Sequence, residues 1–309
     1  MIRVEGLKKQ YGKMEALKGI SFEINEESIF GFVGPNGAGK TTALKILATL
    51  MVPTEGRAFI DGIDVLKDPK KVRRLIGYMP DFFGVYDRLK VTEYLDFYGS
   101  CYRIPAAARR GIISDLLELV DLSHKADDYV DSLSRGMKQR LCLARCLVHD
   151  PKVLILDEPA SGLDPRARVE MRELLRELKK MGKTIIISSH ILPELAELCA
   201  EVGIIEAGEL AAVGSVDFIT SQLSQDKLIQ VKVQSGTGEA SRVLREHPGV
   251  AAVNETADGV LQVSFSGDTT AQQELLRTLV LAGIPVLSFA ETGNNLENLF
   301  MRITKGVVQ

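Results

Sequence analysis

Eight residues, Gly34-Pro35-Asn36-Gly37-Ala38-Gly39-Lys40-Thr41, follow the pattern G-x(4)-G-K-T. Glycine at 34, 37 and 39 lets the backbone turn with its N–H groups inward, which forms a nest for an anion ahead of a helix N-terminus. Lys40 can reach the β- and γ-phosphates of a nucleotide, and the Thr41 hydroxyl can ligate Mg²⁺. Gly34, Asn36, Gly37, Ala38, Gly39, Lys40 and Thr41 are therefore assigned to nucleotide contact. Further along, Val153-Leu154-Ile155-Leu156-Asp157-Glu158 sets four apolar residues before two carboxylates. Buried strands of open α/β sheets carry ligands at their carboxyl ends. Asp157 would hold Mg²⁺ through water, and Glu158 would orient and activate an attacking water.

These groups need a sheet with loops gathered at one end. Ser28 to Val33 is mostly apolar and suits a buried strand, and a helical pattern covers Thr42 to Leu50. Ile20-Ser21-Phe22-Glu23-Ile24 alternates with period two, as a strand with one buried face does. Asp68-Pro69 supplies an N-cap and a first-turn proline for a helix to Arg74, and Leu75 to Met79 is a short strand. From Val91 to about Tyr129 strand signals vanish, and Ile113, Leu116, Leu117 and Val120 recur at helical spacing, which marks a helical insert. Strands Lys152 to Leu156 and Lys183 to Ser188 flank a helix capped by Asp164-Pro165. Strand–helix alternation implies a mainly parallel sheet covered on both faces. From about Ser221 the order βαββαβ, with a turn at Asp258-Gly259, predicts a small ferredoxin-like α+β domain. A last helix is expected over Leu296 to Ile303.

The 309 residues suffice for one large and one small domain, read here as 1–220 and 221–309 with the insert at about 91–130. Apolar residues make up 45% and charged residues 26%, an ordinary globular balance that argues against disorder. A net charge of −3 gives no global reason to expect nucleic-acid binding. No apolar run spans a bilayer and no signal-peptide pattern is present, so a cytoplasmic protein is expected. The four cysteines (101, 142, 146, 199) form no C-x-x-C and find no histidine cluster. Cys142 and Cys146 share a helical face and read as reduced core thiols.

Between the two halves of the nucleotide site lies Leu133-Ser134-Arg135-Gly136-Met137-Lys138-Gln139-Arg140. It resembles the LSGGQ signature of the ATP-binding cassette (ABC) ATPases, and other landmarks fall in that family's order. Tyr11 matches the aromatic that stacks on adenine. Thr42 matches the residue that adds a hydrogen bond to the α-phosphate. Ser161-Gly162-Leu163-Asp164 matches the D-loop, and His190 the switch histidine at the γ-phosphate. The resemblance covers roughly residues 1–220. It implies a P-loop NTPase domain with an antiparallel β subdomain and a helical insert. It also implies hydrolysis of ATP with Mg²⁺, in a homodimer or a heterodimer with a paralogue. There Ser134 and Gly136 of one subunit would meet the γ-phosphate held by the other. The ending Asn295 to Thr304 is similar to the tail of ATPases that serve ABC-2-type permeases. This implies export through a separate membrane protein, with the chain on the cytoplasmic face. The groove at Asp81 to Leu89, with Phe82, Phe83 and Tyr86, would receive a permease helix.

The chain departs from the family pattern in two places. Asp81 stands where the Q-loop has glutamine; it can approach Mg²⁺ or its water but adds negative charge beside the phosphates. Arg135 and Met137 replace glycine and glutamine in the signature, and Arg135 can meet the partner's phosphate or point to solvent. Two alternatives stay open: a soluble ABC ATPase acting away from membranes, and a regulator whose C-terminal domain senses a ligand.

Overall fold

The structure is a computed structural model, and it describes residues 1–292 except 83, 85–87, 224–226 and 257–258. Its elements run β1 (Ile2–Tyr11), β2 (Met14–Ile24), β3 (Ile29–Val33), α1 (Lys40–Leu47), β4 (Glu55–Ile60), β5 (Ile63–Asp64), α2 (Pro69–Leu75) and β6 (Ile76–Met79). The insert follows with α3 (Val91–Cys101) and α4 (Ala106–Leu119), and then α5 (Arg135–Leu147). The sheet resumes with β7 (Val153–Leu156), α6 (Pro165–Lys180), β8 (Thr184–Ser189), α7 (Leu192–Ala196), β9 (Glu201–Glu206) and β10 (Glu209–Ser215).

The central six-stranded sheet has the order β10-β9-β3-β8-β7-β6. Its pairs are parallel except the edge pair β9–β10. Strand β8 therefore lies between the strand feeding the phosphate loop and the strand feeding the carboxylates. The register sets Val33 beside Ser189 and Leu156 beside Ile187, so these strands end together. Every residue of β3, β7 and β8 is buried, as a strand covered on both faces requires.

A second, antiparallel sheet has the order β2-β1-β4-β5. Ile20, Phe22 and Ile24 are buried while Ser21 and Glu23 are exposed, the alternation expected of β2. Its buried face shares one core with Leu44, Ile46 and Leu47 of α1 and with Phe30 and Phe32 of β3. Phe22 stacks on Phe30 with centroids 5.5 Å apart. Each large side chain so buried contributes about 1.5–3 kcal/mol. Helix α1 begins at Lys40, two residues ahead of the periodic pattern, because loop geometry rather than apolar spacing sets its start. Asp68 precedes α2 but its side chain caps no backbone N–H; Lys71 Nζ donates to it at 3.3 Å instead.

The insert is closed at its base. Lys90 bridges Tyr129, Val91 N–H donates to Asp128 O at 3.0 Å, and Val130 N–H donates to Leu89 O at 2.9 Å. Ile113, Leu116, Leu117 and Val120 are all buried, as their spacing predicts. Cys142, Cys146 and Cys199 are buried thiols, and Cys101 is exposed.

Residues from Asp217 form a second compact unit. After α8 (Val216–Leu223) come β11 (Lys227–Val233), α9 (Thr237–Arg245), β12 (Val250–Glu255), β13 (Val260–Phe265), α10 (Thr269–Leu281) and β14 (Val286–Thr292). The sheet is antiparallel with the order β12-β13-β11-β14. Ala240, Leu244, Leu275 and Leu279 of the two helices share its core with Ile229, Val231, Leu261, Val263 and Phe265. Gly259 takes φ +71° at the hairpin turn, while Asp258 and the expected helix Leu296 to Ile303 lie outside the described residues. No helix among the described residues is long and apolar enough to cross a membrane.

Candidate active site

Strand β3 delivers the chain to Gly34 at the carboxyl end of the central sheet. A Cβ at Gly34 would stand 2.3 Å from Ile205 O, and one at Gly39 would stand 2.5 Å from Ala16 O. Gly39 also takes φ +110° as the residue before α1, so neither position tolerates a side chain. Asn36 and Gly37 are exposed at the rim, Ala38 is buried, Thr41 is exposed and Thr42 is half-buried. Lys40 folds back over its own loop: Nζ donates to Gly34 O at 2.6 Å and to Pro35 O at 3.2 Å. Only 6% of the side chain is exposed, and burial lowers its pKa while the Glu158 carboxylate opposes that shift. Carbonyls satisfy the ammonium here, and phosphate oxygens are stronger acceptors for the same donors.

The carboxylates emerge from β7 at the neighbouring loop. Asp157 is 1% exposed, and its N–H donates to Met79 O at 2.8 Å. Its Oδ1 accepts from Ser188 Oγ at 2.7 Å, whereas Oδ2 is buried without a hydrogen-bond partner among the described residues. Glu158 takes φ +50°, an uncommon conformation for a non-glycine residue that turns the chain sharply off the strand. Its Oε2 pairs with His190 Nδ1 at 2.9 Å. Its Oε1 lies 3.5 Å from Lys40 Nζ, an ion-pair contact rather than a hydrogen bond. The structure thus joins three residues singled out from sequence, Lys40, Glu158 and His190, in one chain of contacts. Asp81 is exposed just beyond β6, and its charge is among those that favour the protonated form of Lys40. Phe82 is 89% exposed; Phe83 and Tyr86 lie outside the described residues.

Ser134 and Gly136 stand elsewhere, beside the D-loop. Ser134 caps α5 by accepting Met137 N–H at 3.3 Å. Gly136 faces Leu163 and Ala167, where a Cβ would meet their side chains at 3.4 and 3.6 Å. A cavity of about 260 Å³ is lined by Ser134, Gly136, Leu163, Asp164 and Ala167, and by no residue of the phosphate loop. Arg135 lies over Gly162: a Cβ built there would come within 2.4 Å of the guanidinium carbon. Gly162 has φ +67°, so a side chain there is strained by the backbone and would also displace the Arg135 guanidinium. Asp164 caps α6, with Oδ1 accepting Ala167 N–H at 3.0 Å.

Sequence reading missed two polar residues that organise this region. Gln139, 2% exposed, donates through Nε2 to Ser161 O at 3.0 Å and ties the signature helix to the D-loop. Ser188 touches both carboxylate-bearing residues. The signal available for each was a polar side chain at a position whose neighbours are buried.

Tyr11 ends β1, 40% exposed, with its hydroxyl donating to Met51 Sδ at 2.8 Å and Lys9 Nζ 5.3 Å from the ring centroid. A ring held at its edge and partly open on its face can stack on a base.

A phosphate loop feeding a helix beside a buried aspartate and a partly buried glutamate defines a P-loop nucleotide-hydrolysing domain. The ABC transporter family profile matches residues 17–161. The linearmycin resistance ATP-binding protein LnrL of Bacillus subtilis (strain 168) is 33% identical over 98% of both chains. The Nod factor export ATP-binding protein I of Ralstonia nicotianae is 35% identical over 98% of this chain and 94% of its own. Among solved structures, the dimeric post-hydrolysis cassette MJ0796 bound to ADP and Pi is 26% identical. It superposes with a TM-score of 0.64 over 70% of this chain and 99% of its own. The chain belongs to the ATP-binding proteins of the ABC transporter family, ATPases whose cassettes pair as dimers.

Proposed function

We propose that this chain hydrolyses ATP with Mg²⁺ in a two-site dimer and drives export through a separate membrane permease, from the cytoplasmic face. The observation that carries the chemistry is the placing of Glu158 between Lys40 and His190, beside an Asp157 oxygen without a partner. The residues fit Mg²⁺: a buried, unpartnered carboxylate oxygen and an exposed threonine hydroxyl at the loop are hard oxygen donors. Thr41 and Asp157 would hold the ion, with Asp81 near it; the ion would neutralise charge developing on the β- and γ-phosphates. One or two protein oxygens together with water and substrate phosphates are the usual shell of Mg²⁺ at such sites.

Lys40 leaves its loop carbonyls for the β- and γ-phosphate oxygens. Glu158 then takes the proton of the attacking water, and His190 holds that carboxylate by its second oxygen. Tyr11 stacks on the base and Thr42 meets the α-phosphate. Ser134 and Gly136, remote from their own chain's loop, serve the loop of the other subunit, an arrangement with the same patch on both sides. Arg135 and Gln139 would pass closure at that interface to the D-loop through Gly162 and Ser161. The name of the Nod factor export protein supports export as the direction.

Phosphate release by the purified chain tests the reading. It should require Mg²⁺ and rise more steeply than linearly with protein concentration, because two chains build each site. Release proportional to protein at all concentrations would overturn the shared site, and absence of release would overturn hydrolysis. Tyr11→Ala should weaken ATP and GTP alike by about 1–3 kcal/mol, since stacking reads no base edge. A fluorescent-nucleotide titration measures this, and unchanged affinity removes Tyr11 from the base site.

A further inference from the structure

Ser188 is a polar residue fully buried in β8, 0% exposed, in a strand whose run Ile185 to Ile187 is otherwise apolar. Its Oγ has two partners, and both belong to the carboxylate pair. It donates to Asp157 Oδ1 at 2.7 Å and accepts the N–H of Glu158 at 2.9 Å. A hydroxyl has one hydrogen. The backbone N–H of Glu158 can only donate, so the hydroxyl hydrogen must go to Asp157. The direction of both bonds is therefore fixed.

We infer that Ser188 is a positioning residue for hydrolysis: its one hydroxyl orients the Asp157 carboxylate so that Oδ2 stays available to Mg²⁺, and anchors the Glu158 backbone. The inference rests on the roles proposed above for Asp157 and Glu158. Three features make one hydroxyl sufficient. Asp157 is almost fully buried, so an oxygen without a protein or metal partner is costly there. Glu158 turns off the strand at φ +50°, where its N–H would be stranded without an acceptor. And β8 runs between β3 and β7 and ends at Ser189, one residue before His190, so the same strand carries the third member of the contact chain. Partners of this kind behind a metal ligand are worth about 10- to 100-fold in metal affinity or activity.

The test compares the full chain with Ser188→Ala and Ser188→Thr. Ser188→Ala should raise the Mg²⁺ concentration that half-saturates nucleotide binding about 10- to 100-fold and lower kcat by a similar factor. ATP binding in EDTA should change less than about twofold, since the phosphate loop is untouched. Ser188→Thr keeps the hydroxyl and should recover most of the Mg²⁺ dependence. An unchanged half-saturating Mg²⁺ concentration in Ser188→Ala overturns the inference. So does equal loss of binding with and without Mg²⁺ together with a lowered Tm, the mark of a merely structural serine. If Ser188→Thr does not fold, Ser188→Cys, a weak donor of nearly the same shape, should fall between wild type and alanine. Absence of hydrolysis in the unaltered chain would instead refute the catalytic reading, so the two failures are distinguishable.

Discussion

Glu158→Gln is expected to bind ATP with near-normal affinity, lose about 10²- to 10⁴-fold in turnover and accumulate as an ATP-bound dimer. The substitution keeps the volume and the backbone preferences of a residue held at φ +50°, so the turn off β7 and the Ser188 anchor remain. What disappears is the group able to take a proton from water. The amide can still meet His190, 2.9 Å from Oε2, by choosing its oxygen or its NH₂ for that side. Lys40 loses the carboxylate 3.5 Å away, but bound phosphates supply stronger acceptors. Removing one negative charge beside the γ-phosphate should also hold the closed dimer longer, since carboxylate–phosphate repulsion no longer opposes it. Phosphate release and sizing chromatography in MgATP measure the two effects. Turnover at the wild-type rate would remove Glu158 from the role of base, whatever the oligomeric state.

What sequence could show follows from how local each constraint is. The phosphate loop is a contiguous pattern and is legible as such, although the backbone that excludes a side chain at Gly34 and Gly39, Ile205 O and Ala16 O, is remote in sequence. The buried strands are legible because a sheet covered on both faces demands unbroken apolar runs such as Val153 to Leu156. Ser188 stood out only as a polar residue in an apolar run; its role was not legible because its partners Glu158 and Asp157 lie 30 and 31 residues upstream, across a parallel strand pair that no spacing rule reveals. The pairing of Lys40 with Glu158 became visible only once the strand order brought β3 and β7 to either side of β8. Arg135 shows a different limit. Its charge suggested a phosphate or solvent; the structure leaves it exposed and also sets its guanidinium against Gly162, a contact that spacing does not reveal. Asp68 failed as a cap although the residue type and Pro69 were right, because capping depends on backbone angles that composition does not specify.

Lys40→Ala is expected to act at the other end of the same contact chain and on binding rather than chemistry. Its ammonium would supply charged hydrogen bonds to two phosphate groups, each worth about 1.5–3 kcal/mol. Losing both corresponds to roughly 10²- to 10⁴-fold in ATP affinity. The free protein responds as well. Lys40 is 6% exposed and pairs with Glu158, itself 12% exposed, so truncation leaves a partly buried carboxylate whose remaining ion-pair partner among the described residues is His190. It also removes the donor that holds Gly34 O and Pro35 O at 2.6 and 3.2 Å, and with it a tie across the loop. A modest fall in Tm should therefore accompany the loss of binding. The two effects separate by ligand: a titration with adenosine, which lacks phosphates, should respond little, while ATP affinity collapses. Micromolar ATP binding by a folded Lys40→Ala variant would show that the backbone nest alone carries the phosphates and that the lysine serves the loop instead. Loss of adenosine binding to the same degree as ATP would show that the loop itself had collapsed.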